Sequence, residues 1–186
     1  MYESKAHFAN LYHNTPSAFT FSNQSDLEGP AFTEWQDQFR SSLHTLLGLD
    51  NMSADLVDYQ PYAEKRDTEE LDDHIRESWY LWVESTVPLP FYLLRPKQAE
   101  APLPLVLTPH GHNHPHLYVG IAENEREALE IQEGQRDIAC QAVRQGYLAI
   151  APTTRAFGET RTTIDRNNNK THSCRTELMH DLLMQL

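Results

Sequence analysis

The chain has almost no cysteine, no long apolar run, no excess of basic residues and no internal repeat. Each absence removes a class of protein. Two cysteines in 186 residues, Cys140 and Cys174, make no disulfide framework, and a reduced cytoplasmic protein is the expectation. Nowhere do about 18 apolar residues run uninterrupted, as a membrane helix requires. The N-terminal MYESKAHFANLYHNTPSAF carries no apolar core of a secretory signal. A formal net charge of -12 without a basic stripe argues against a nucleic-acid partner.

What remains is a soluble globular composition, long enough for one ordinary domain. Residues 1–29 are polar and aromatic without a clear period and read as an N-terminal arm. Phe32, Trp35, Phe39, Leu43, Leu46 and Leu47 then fall at helical spacing, with Gly48 as a stop. That amphipathic helix is expected to pack against a larger body. Residues 50–73 are acidic and read as loop, so the first region is taken as 1–73 and a second as 74–186.

The second region opens on a period-two alternation through Trp79, Leu81 and Val83, resumed through Val87, Leu89, Phe91 and Leu93. This predicts an antiparallel hairpin. Pro88 and Pro90 point to an edge or irregular second strand. Trp79 is expected in the core, with Tyr80 and Trp82 covering the opposite face. The apolar run Leu103–Thr108 reads as a strand buried on both faces. A helix over 124–145 should turn Ile131, Ile138, Ala142 and Val143 inward, with Gly146 ending it and Tyr147–Ala151 forming the next strand. Strand, helix and strand at this spacing make a βαβ unit with a right-handed crossover. The fold class is α/β, a mostly parallel sheet with an antiparallel N-terminal hairpin. Leu178, Leu182, Leu183 and Leu186 predict a last helix that stops in mid-pattern, as in an interrupted domain.

The chemistry concentrates in PHGHNHPH, residues 109–116, where four histidines occupy every second position. Metal binding would use His110 and His112 just after a buried strand, as in the HxH of amidohydrolase-type barrels. The next strand ends Ala149-Ile150-Ala151-Pro152-Thr153-Thr154, with no histidine or acid at its tip. Neither the HxHxDH pattern of binuclear lactamase-like hydrolases nor a cupin-type HxH with a nearby glutamate is met, Glu123 standing too far along. Exposed loop histidines without a role are the bland alternative. A third reading rests on Gly111: a glycine turn at a strand end presents main-chain N–H groups, here that of His112, to a developing oxyanion.

With its neighbours, this stretch resembles the α/β-hydrolase superfamily, and within it the acetyl xylan esterase and dienelactone-hydrolase-like esterases. The matching blocks are VPLPFYLLRP (87–96), PLPLVLTPHGHN (102–113), RQGYLAIAPTTRAFGETR (144–161) and the tail CRTELMHDLLMQL. Thr153 stands where the usual pattern has Asp, and Glu159-Thr160 replaces its usual ending, while Arg155 and Gly158 are kept. The resemblance implies an antiparallel entry hairpin, an oxyanion turn at Gly111 and His112, no cofactor, and a small ester or acetylated carbohydrate as substrate. It also implies a serine in a G-x-S-x-G elbow, then an acid and a histidine. None of the seven glycines flanks a serine at that spacing, so the triad is expected downstream of Leu186.

The residues 1–186 alone are then expected to be inactive, and to aggregate or to associate with the missing half or a second copy. His172, His180 and Asp181 read as helix surface rather than triad members. Cys140 reads as a small buried hydrophobe, and Cys174, at a helix start, as a thiol without a base. The rival readings are a metal-dependent hydrolase using His110 and His112 and a degenerate, non-catalytic hydrolase-like module.

Overall fold

The computed structural model describes residues 4–16, 19, 28–98 and 102–177. The chain divides into two compact units, residues 1–54 and 55–186.

The first unit is helical. Helix α1 (Ser4–Asn14) lies where an irregular arm was expected. Helix α2 (Gly29–Leu46) confirms the periodic stretch, with a proline in its first turn. Helix α3 (Leu49–Asp55) follows Gly48. Along α2 the rings of Phe32, Trp35 and Phe39 stack in series, with centroids 5.9 and 5.8 Å apart. Among the described residues of α2 none is fully buried, and Phe32 and Trp35 are half-buried.

The second unit is a five-stranded mixed sheet in the order β1-β2-β3-β5-β4. Strands β2 (His74–Trp82) and β3 (Leu89–Pro96) form the predicted antiparallel hairpin. Trp79 pairs with Phe91 across it and their rings stack at 6.2 Å. Trp79 is half-buried rather than in the core, while Tyr80 and Trp82 meet edge to face on the other side. The prolines do not make β3 an edge. Pro88 precedes the strand, and Pro90 lies beyond the last pair with β5, its carbonyl accepting from the Thr153 N–H at 2.8 Å.

Strand β1 (Tyr62–Glu70) replaces the predicted loop, and it joins residues 62–70 to the sheet rather than to the N-terminal region. Every residue of β1 is exposed. Cross-strand charge builds it instead of burial: Lys65 pairs with Glu77 at 2.8 Å and Glu69 with Arg76 at 2.6 Å. Lys65 and Arg66 also lie over the rings of Trp79 and Tyr80.

Strands β4 (Leu105–Leu107) and β5 (Leu148–Pro152) form the parallel part of the sheet. Strand β4 is not buried on both faces. It lies at the edge of the described sheet, with Leu105 55% and Leu107 62% exposed and Val106 half-buried. No described strand covers its outer side.

The single helix predicted over 124–145 is two, α4 (Glu125–Gln132) and α5 (Ile138–Arg144). Gly134 sits at the break, where a Cβ would stand 2.6 Å from the Glu130 carbonyl oxygen, and Gln135 turns left-handed. Ile138 consequently faces outward, while Ala139, Cys140 and Val143 face the sheet. They form the core with Leu94 of β3, Val119, and Ala149 and Ala151 of β5. Cys140 behaves as the small hydrophobe expected, burial pushing its thiol up to about 11. The turn at Gly146 ends α5 as predicted. A final short helix, α6 (Thr163–Asn167), is capped by the Thr162 side chain. The helix predicted from Arg175 begins helically at residues 174–177, and the remainder lies outside the described residues.

Candidate active site

The loop leaving β4 carries PHGHNHPH to the C-terminal end of the parallel pair. Thr108 anchors it, its N–H reaching the Ile150 carbonyl at 2.9 Å. Beyond it the four histidines do not share one role.

His110 is a tie between loops. Its Nε2 accepts from the Thr154 N–H at 3.1 Å, and its Nδ1 lies 2.6 Å from the Gly111 carbonyl oxygen. A main-chain amide can only donate and a carbonyl can only accept, so the ring is the neutral Nδ1–H tautomer. Burial pushes its pKa below the ordinary value, in the same direction. The ring packs edge-on to Phe157 at 4.6 Å and to Tyr118 at 6.3 Å. With both ring nitrogens engaged, His110 is available neither as a base nor as a metal ligand. The metal-dependent reading through His110 and His112 loses one of its two ligands.

Gly111 donates its N–H toward the Tyr118 hydroxyl at 3.4 Å. Its backbone is not left-handed, and a Cβ there would meet nothing within 4 Å. Glycine is therefore not required for the turn itself, contrary to the expectation, and its free side opens outward. The main-chain N–H of His112 has no partner among the described residues. The His112 side chain is exposed and lies against Phe157 and His172, with centroids at 5.6 and 5.0 Å.

The second half of the stretch is held by a carboxylate that spacing alone did not disclose. His114 precedes a 3-10 turn, Pro115–Val119, in which Pro115, Leu117, Tyr118 and Val119 are buried. The turn ends on Gly120, left-handed and so close to α5 that a Cβ would stand 3.1 Å from Cys140 Sγ. His116 Nε2 lies 3.0 Å from Glu127 Oε2, and His114 Nε2 lies 4.0 Å from Oε1. Glu127 is buried in the first turn of α4, where it also accepts from the Glu123 N–H at 2.8 Å. Burial works to raise its carboxyl. The Glu123 N–H and the neighbouring histidines outweigh burial and leave the pKa lowered.

The loop after β5 closes the site from the other side. Phe157 is buried, and its ring meets His110, His112 and His172. His172 and Ser173 are fastened to this loop through a bridge between Phe157 and His172 and the Ser173 N–H on the Ala156 carbonyl. Asp165, which ties Lys170 and Thr162 around the same turn, is held well below the usual carboxylate range, chiefly by Lys170. One ring nitrogen each of His112 and His172 and the Cys174 Sγ all lie within 4.8 Å of one another. His114, His116 and Glu127 form a second such group. Their neighbours come from α4 and the 172–174 segment rather than from the tip of the next strand, where the sequence offers no histidine or acid. His180 and Asp181 lie outside the described residues.

The strand-end turn at Gly111 and His112 thus faces the loop that leaves the neighbouring parallel strand β5. The sequence profile of the Abhydrolase family matches residues 7–184, and the chain belongs to that family. Among solved structures, the chain is similar in fold to a Bacteroides fragilis protein assigned as an acetyl xylan esterase, with a TM-score of 0.68 and 20% identity. It is also similar to a methylesterase, BT1017, with a TM-score of 0.50 and 18% identity. The matches cover 92% and 75% of this chain but 42% and 28% of those chains, so it spans less than half the length of either. No curated protein matches the sequence. Among the described residues no helix is long and apolar enough to cross a membrane.

Proposed function

We propose that residues 74–186 form the oxyanion-binding part of a serine ester hydrolase acting on a small ester, acetylated carbohydrate being the favoured class. The observation that carries this is the main-chain N–H of His112, without a partner at the end of β4 beside the open side of Gly111. In this reading a serine attacks the acyl carbon, and the carbonyl oxygen takes up negative charge that the His112 amide stabilises. The serine, acid and histidine lie outside residues 1–186, since no glycine pair here flanks a serine at elbow spacing. Both structural neighbours carry the names of esterases, and one of them that of an acetyl xylan esterase. In this reading a further strand adds beside β4, which lies at the edge of the described sheet with Leu105 and Leu107 exposed. The separate chain is then expected to aggregate or to pair with that strand, rather than to hydrolyse esters.

The test uses a chain extended to include a serine elbow, assayed with p-nitrophenyl acetate and acetylated xylan. His112→Pro removes the N–H and is expected to lower kcat by about 10²–10³. His112→Ala keeps the amide and retains most activity. Equal losses in the two variants would overturn the role of the amide. An extended chain with no serine elbow would make the protein the non-catalytic relative.

A further inference from the structure

We propose that His112, His172 and Cys174 form a binding site for a borderline-soft transition-metal ion, zinc being the natural occupant. Three observations converge on it. The two ring nitrogens and the thiol sulfur already lie within 4.8 Å of one another, close enough for modest side-chain adjustment to bring all three onto one ion. The Nδ1 of His172 is buried and has no hydrogen-bond partner among the described residues, although buried ring nitrogens ordinarily find one. The donors are two imidazoles and a thiolate, which suits tetrahedral Zn(II) or Co(II) and not the oxygen-seeking Mg(II) or Ca(II).

The surroundings favour this group over its neighbour. In the group of His114, His116 and Glu127 the carboxylate already accepts from the Glu123 N–H and His116, so it is satisfied without an ion. In the group of His112, His172 and Cys174 no hydrogen bond between described residues uses the ligand side chains; ring contacts with Phe157 and with each other position the two imidazoles. Phe157 also supplies one apolar wall, which excludes water from that side of an ion. Binding releases the Cys174 thiol proton to solvent and leaves a fourth position for water or an exogenous ligand. Such an ion cross-links the loop after β4 to the segment leading into residues 174–177, which are distant in sequence. The proposal does not depend on the ester-hydrolase reading, because it uses the His112 side chain and not its amide.

Cobalt titration of the purified, reduced, metal-free chain tests it. The expected result is one equivalent bound, with tetrahedral visible bands and a near-ultraviolet thiolate-to-cobalt charge-transfer band. Cys174→Ser abolishes the charge-transfer band. His112→Ala and His172→Ala each weaken binding at least about tenfold, with His172→Gln as the milder replacement should the alanine variant unfold. Glu127→Gln, His116→Ala and Cys140→Ser leave the spectrum unchanged. Absence of the charge-transfer band in the unsubstituted chain, its persistence in Cys174→Ser, its loss in Cys140→Ser, or binding that disappears with Glu127→Gln instead would each overturn the assignment.

Discussion

Helices α2 and α5 both carry apolar residues at helical spacing, yet they end in opposite states. Helix α5 buries Ala139, Cys140 and Val143 against β3 and β5, while α2 buries none of its residues. Periodicity states that a face is apolar; burial requires a second surface of matching shape. For α5 that surface is the sheet. Along α2 the rings of Phe32, Trp35 and Phe39 stack on one another in series.

The contrast is broken or sharpened most strongly at Leu94. It is fully buried in the cluster under α5, so Leu94→Ala is expected to cost about 2–5 kcal/mol in urea unfolding. A loss no larger than that of a surface substitution would mean the cluster is not the core. Next comes His110→Ala, which strands the Thr154 amide and should cost about 1–2 kcal/mol. Because the folded pKa of His110 is depressed, its contribution is complete above the ordinary value of 6.5 and is lost as pH falls toward the folded pKa. The stability profile of His110→Ala should therefore be flatter below pH 6.5, and an unchanged slope there would contradict the neutral tie.

Glu127→Gln gives a smaller, pH-confined change. Its lowered carboxyl contributes stability above the ordinary value of 4.5 that is lost as pH falls through the folded pKa. The variant should lose stability at neutral pH and converge with the unsubstituted chain in acid; a deficit that persisted in acid would exclude the ionised pairing with His116. The smallest effect is expected at Leu43, 41% exposed on α2, where Leu43→Ser should stay within about 0.5 kcal/mol. A cost approaching that of Leu94→Ala would show that Leu43 itself is tightly packed.

The candidate site was legible in sequence only where its signals were local. The strand end at Thr108 and the stop at Gly146 each follow from neighbouring residues. The break at Gly134 was equally local, and periodicity overrode it. The histidine partners carried no such signal, because Thr154 lies 44 residues from His110 and Glu127 lies 11 from His116. His172 read as helix surface and Cys174 as a thiol without a base, because nothing in their spacing refers to residue 112.

By itself, the sequence determined that α2, the hairpin of β2 and β3, and the β4–β5 crossover would form, since backbone period and turn chemistry act over a few residues. Tertiary structure decided the rest. Strand β1 exists because β2 supplies charges opposite Lys65 and Glu69, and β4 is exposed because no described strand lies beyond it. The histidines of PHGHNHPH divide into two pairs because the chain fold brings His110 and His112 to Phe157 and His114 and His116 to Glu127. Such pairings depend on which distant groups share a low-dielectric space, and only the fold sets that.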